Sequence, residues 1–255
     1  MHCRPSRARR FAAVYAVAFA LSVLAAVAPR AARGEIIPLS QSHLLTANVL
    51  VGDTGVSDRE EGSTIGPIHA DARAGDLSNN AVSTLDLTFG GQTISGQLSG
   101  DANGIPGPTA NEMHADGRFE HTFTVSAPTP YTLSGLVRIQ GRYLGDAGSA
   151  ELRLTEDGVR IGGNGVSAPG PGLPGIVATF DNQGTLLPGR TYALTGAMTA
   201  GMVVEASSNL TFSNSDVEFT LTVPEPTALC LLAPAALCLL ARRRCPASLR
   251  RSPTQ

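Results

Sequence analysis

YTLSGLVRIQ, residues 131–140, places Tyr131, Leu133, Val137 and Ile139 on one parity and Thr132, Ser134, Arg138 and Gln140 on the other. Successive side chains of a strand point to opposite faces, so this stretch reads as a strand with one apolar face and one wet face. The same alternation recurs at Phe119, Phe123 and Val125, at Ala150, Leu152 and Leu154, at Tyr192, Leu194 and Met198, and at Val217, Phe219 and Leu221. Helical spacing is nearly absent between these runs. A strand of this kind has a single face to bury, and two sheets packed face to face bury all of them together. The pattern predicts an all-β chain: an antiparallel β-sandwich of roughly eight to ten short strands, with the jelly roll as its candidate form.

Turn chemistry agrees with that spacing. Gly90-Gly91 and Glu156-Asp157-Gly158 separate alternating runs and predict hairpins, and Pro188-Gly189 stands just before the Tyr192 run. Residues 162–175, GGNGVSAPGPGLPG, are read as a loop. Gly163, Gly165 and Ala168 have the spacing of a dinucleotide fingerprint, but Pro169-Gly170-Pro171 forbids the helix whose N-terminus would hold the phosphate. Composition does not change across the loop, so residues 35–222 are expected to form one domain.

Charge narrows the function classes. The chain has nineteen arginines and no lysine, and eight of them face twenty acids within residues 35–222, a formal −12. Such a surface repels phosphate backbones, so nucleic acid is not expected as a partner. Without lysine there is no Schiff-base chemistry and no P-loop lysine. The cysteines stand at 3, 230, 238 and 245, so the central domain has no disulfide, thiol nucleophile or cysteine metal site.

Both ends of the chain read as addresses. Residues 1–34 have the three parts of a secretory signal: Arg4, Arg7, Arg9 and Arg10, then the apolar Phe11 to Ala28, then Pro29 and small residues up to Gly34, after which cleavage is expected. The alternative is an uncleaved membrane anchor. Residues 223–255 open with Val223, Pro224, Glu225 and Pro226 and continue as an uncharged run to Ala241, closed by Arg242, Arg243 and Arg244. As a helix the run would span roughly 24 Å, short of a bilayer core but long enough for a brief stop, with the arginines on the cytoplasmic side. This tripartite ending resembles the PEP-CTERM sorting signal of exopolysaccharide-producing Gram-negative bacteria. The resemblance implies processing by an exosortase, transient inner-membrane association and delivery to the cell surface or matrix, with exopolysaccharide as a candidate partner. It covers the tail alone, and CPASLRRSPTQ, residues 245–255, extends beyond the usual end of such tails.

Within the domain, HADAR at 69–73 and HADGR at 114–118 form a near repeat. His69, Asp71, His114 and Asp116, with His121 as a fifth ligand, have the donor types of a metal site but need tertiary convergence. They are read as a pair of solvated loops, with the metal site as the alternative, and no cofactor is expected. Asp101-Ala102-Asn103-Gly104 begins like a calcium loop but lacks the later oxygen ligands, and is read as a turn. Glu60-Glu61 is read as a charged loop. No serine is framed as a nucleophile elbow, because Gly165-Val166-Ser167-Ala168 runs into Pro169. The expectation is an exported, non-catalytic surface or matrix protein. The alternative is a carbohydrate-binding module, with a secreted hydrolase third. Such modules stack sugars on exposed aromatics, and with no tryptophan in the chain Tyr143 is the free candidate.

Overall fold

The computed structural model describes residues 34–76, 78–106, 110–141, 147–167, 175–204 and 211–224. Thirteen strands are described: β1 (Ile36–Val51), β2 (Thr54–Gly62), β3 (Ile68–Gly75), β4 (Asn79–Phe89), β5 (Thr93–Gly104), β6 (Asn111–Val125), β7 (Thr129–Gly141), β8 (Ala147–Glu156), β9 (Val159–Gly162), β10 (Gly165–Ser167), β11 (Ile176–Leu186), β12 (Tyr192–Val204) and β13 (Thr211–Thr222). They form two antiparallel sheets, ordered β10-β8-β12-β6-β1-β2, with β9 also on β8, and β11-β7-β13-β5-β4-β3. The β-sandwich expectation stands. The strands are more numerous and longer than expected, β1 alone having 16 residues. The signal helix and the apolar tail helix were expected on segments outside the described residues, apart from Gly34, Val223 and Pro224, which are not helical.

Alternation decides which face each strand buries. Tyr131, Leu133, Val137 and Ile139 of β7, Leu152 and Leu154 of β8, Leu194 and Met198 of β12, and Val217 and Phe219 of β13 all enter one core between the sheets. Small residues let large ones cross the gap. A Cβ at Gly100 would stand 2.4 Å from the Met198 sulfur, and one at Gly104 would stand 2.4 Å from Met113 Cε. Facing side chains thus interlock at close-packed density.

The predicted turns are present. Gly90 and Thr93 exchange backbone hydrogen bonds across the β4–β5 hairpin. Asp157 (φ 47°) and Gly158 (φ 85°) both take left-handed backbone between β8 and β9, the signature of a type I′ turn. Three loop readings are corrected. Gly165–Ser167 forms β10, because the Asn164 carbonyl accepts from Leu152 N–H at 2.8 Å and carries the chain back along β8. Asp101 to Gly104 finish β5 rather than turning, and Glu60-Glu61 lie in β2.

Each flank of the sandwich is an edge strand of one sheet beside an edge strand of the other. On one flank, Glu60 of β2 accepts Asp71 N–H at 3.0 Å and Asp58 accepts Arg73 N–H at 2.9 Å, both from the free edge of β3. On the other, Asn182 of β11 accepts Gly163 N–H at 2.8 Å, and Asn164 donates to Thr179 O. Side chains therefore occupy backbone groups that an open edge would offer to another chain.

Candidate functional site

His69 and Asp71 alternate with the buried alanines of β3 and so face outward from the second sheet. His114 and Asp116 alternate with Met113, Ala115 and Gly117 of β6 and face outward from the first sheet. The core of the sandwich separates the two pairs, so the near repeat does not converge. Both copies lie in strands, which corrects the solvated-loop reading as well. Among the described residues no group of three or more His, Cys, Asp or Glu side chains can hold a metal ion. His69 Nδ1 bonds Asp86 Oδ1 at 2.5 Å, while Asp71 pairs with Arg73. That contact, with the Asp86 charge, raises the His69 imidazole above its ordinary value.

His121 has the opposite parity and lies in the core, 1% exposed. Its ring lies tilted against Phe89, at 4.5 Å between ring centres, and stacks with Phe123 at 6.0 Å. Neither ring nitrogen has a hydrogen-bond partner. Burial lowers its imidazole to about 4, so it is neutral and apolar in role. Odd against even numbering already separated it from His114 and Asp116.

Several shallow depressions lie on the described surface, among them one across the outer face of each sheet. The larger, about 760 Å³, lies across β2, β1, β6 and β12 and is lined by Glu61, Leu44, Arg118, Glu120 and Thr195 among others. Strand register sets its charge pattern: Glu61 and Arg118 flank Leu44, and Arg118 and Glu151 flank Ala197. The smaller, about 430 Å³, exposes Asp86, Gln97, Glu218, Ser95 and Thr220 on the second sheet. Gln97 pairs with both Glu218 and Asp86, which puts those carboxylates two strand spacings apart, roughly 9–10 Å. Asp86 is already engaged by His69, and no described hydroxyl is bonded to that imidazole. These are open polar surfaces suited to contact.

Beside the smaller depression, Arg138 donates through two guanidinium nitrogens, at 2.9 Å and 2.5 Å, to Asp216 Oδ2, whose side chain is 2% exposed. Burial, with Asp101 and Glu218 nearby, pushes the Asp216 carboxyl up while Arg138 pulls against it. The arrangement fastens β7 to β13.

Aromatic side chains serve the core. Tyr192 Oη accepts Leu187 N–H at 2.6 Å, and Tyr131 Oη donates to Ile161 O at 3.3 Å. Tyr143 lies outside the described residues. Phe212 is 37% exposed at the end of β13, and its even number against Val217, Phe219 and Leu221 was the signal for it. One exposed phenylalanine does not make a stacking platform.

Of the sorting-motif residues, Val223 and Pro224 are described. Val223 is fully buried and donates to Gln92 O at 2.8 Å, so it completes the core, while Pro224 is exposed. Glu225, Pro226, Arg242, Arg243 and Arg244 lie outside the described residues.

No family model and no curated protein matches the chain. Among solved structures it is similar to infectious bursal disease virus, Gt strain, at 11% identity and a TM-score of 0.18, covering 83% of this chain and 73% of that one. The VP2 subviral particle of that virus gives 13% identity and a TM-score of 0.18, covering 84% and 75%. An alpha-xylosidase from Xanthomonas citri gives 8% and 0.14, covering 75% and 28%. Similarity at this level carries nothing about the fold or activity of this chain.

Proposed function

We propose that the chain is an exported, non-catalytic cell-surface or matrix protein whose tail is a PEP-CTERM signal removed by an exosortase. The observation that carries this reading is the position of the motif. Among the described residues Val223 is the last buried one, Pro224 is exposed directly after it, and the uncharged run begins at Pro226. A processing enzyme at the bilayer would meet the motif where the fold ends. Eight strands support the jelly-roll form: β5, β13, β7 and β11 adjoin in one sheet, β6, β12, β8 and β9/β10 in the other, and the chain crosses between sheets at every step but β8 to β10. Two Greek keys wound together give that order. Open polar faces suit an adhesive or space-filling role beside exopolysaccharide, with the inner membrane a transient stop.

Replacing Pro224, Glu225 and Pro226 by alanine in a host with an exosortase should leave full-length protein in the inner-membrane fraction, while the wild type reaches the surface. Equal surface delivery of both would remove the sorting reading. A screen of residues 35–222 for glycosidase, esterase and protease turnover tests the non-catalytic part. Turnover abolished by a single carboxylate or serine substitution would overturn it.

A further inference from the structure

We propose that the end of the sandwich bearing the Gly90-Gly91-Gln92 turn is a lipid-facing surface, against which the bilayer lies while the full-length chain is held by its apolar tail. The inference rests on residues 226–241 acting as a membrane stop, the reading proposed above. Its independent support is where the two chain ends leave the fold. Ile36 N–H donates to Gly91 O at 3.2 Å and Val223 N–H to Gln92 O at 2.8 Å, so both leave from one hairpin turn. Between Val223 and the uncharged run stand only Pro224 and Glu225, which span at most about 7 Å when extended. A tether that short keeps this end at the membrane. The turn joining β1 to β2, at Gly52-Asp53, is at the opposite end, about 40 Å away for strands of twelve or so residues.

The side chains at the turn end fit an interfacial position. Ile37 and Leu39 at the start of β1, Val159 opening β9 and Leu187 after β11 are 42%, 49%, 69% and 44% exposed. A bulge between Pro38 and Ser40 turns Leu39 out of the ladder. The main cation among them, Arg190, is paired with Asp157 and Glu156. At the other end, exposed Leu50, Val51 and Val56 lie among Asp53, Asp58 and Glu112, much as Glu35, Glu156 and Asp157 lie at the turn end, so it is the tether and not charge that sets the two ends apart. Apolar tips held this close to a bilayer favour the boundary between headgroups and acyl chains.

The test uses residues 35–255, the form expected after signal cleavage, with Cys230, Cys238 and Cys245 replaced by serine and one fluorophore on Gly91→Cys or Asp53→Cys. A Cβ at Gly91 meets nothing within 4 Å, and Asp53 is exposed, so both labels are compatible with the fold. Phosphatidylcholine–phosphatidylethanolamine vesicles carry a headgroup-nitroxide lipid as quencher, and bound chain is isolated by flotation. The expected result is loss of at least half of the Gly91-label emission with little change at Asp53. Adding Val159→Asp and Leu187→Asp should preserve flotation and restore part of the Gly91 emission, the tether still holding this end near the bilayer. Equal quenching at both labels, stronger quenching at Asp53, or no quenching in floated protein would overturn the lipid-facing end alone. A chain that does not float would remove the tail reading and this inference together.

Discussion

His121 shows how one residue couples the core to pH. An unfolded chain protonates this imidazole near 6.5, whereas the folded chain excludes the proton until about 4. The unfolded state therefore binds more protons between those values, and stability falls as pH drops through that window, by roughly 2–3 kcal/mol at pH 4.5. His121→Phe should remove that part of the fall, seen as a smaller difference between urea unfolding at pH 7 and pH 4.5 than in the wild type. An unchanged difference would mean that His121 takes its proton in the fold. The Asp216–Arg138 pair has a different dependence. Arg138→Ala leaves a buried carboxylate without its cation and should cost about 3 kcal/mol at neutral pH, with part recovered on adding Asp216→Asn. Urea unfolding of the three proteins measures both effects.

Among the elements, β3 and β7 depend on particular neighbours. A Cβ at Gly135 of β7 would stand 2.1 Å from Glu218 O and 2.7 Å from Phe180 Cζ, so Gly135→Ala must move backbone and should cost at least about 2 kcal/mol, read as a lower midpoint in denaturant. On the β3 edge, Asp58→Ala with Glu60→Ala should speed hydrogen exchange of the Asp71 and Arg73 amides by about tenfold while global stability changes by less than ~1 kcal/mol. Unchanged exchange at those amides would show that the carboxylates do not protect the edge. This flank also marks the limit of the sequence pattern. β7, β8, β12 and β13 were legible because each buries one parity of large apolar residues. β2 is an edge strand with no fully buried residue, and its Asp-Arg-Glu-Glu reads as a loop in any window. β3 buries only alanines at 70, 72 and 74, too small to register as an apolar face, so the His-Asp pairs were assigned to loops. Whether they converged depended on which sheet each strand joined, and strand alternation carries no such information.

For the whole molecule, the segregation of charge, the cysteine-free domain and the position of the termini belong to one account. A domain with a formal −12 and no disulfide relies on its core, and its melting temperature should be the same with or without reductant or chelator. A fall of many degrees on chelation, measured by calorimetry, would assign a structural ion to the fold. Nothing in the central domain identified its partner surface in advance, because outward-facing Ser, Thr, Asp and Glu are what any exposed sheet presents. The tail reads as a sorting signal because motif, length and charge occur in fixed order within 33 residues, and among the described residues the last buried one is Val223, the first residue of that motif. The most direct test of the account is the intact mass of the mature protein from a host that has an exosortase. The predicted product has lost the segment beyond about Pro226, and recovery of wild-type protein that retains residues 228–255 would contradict it.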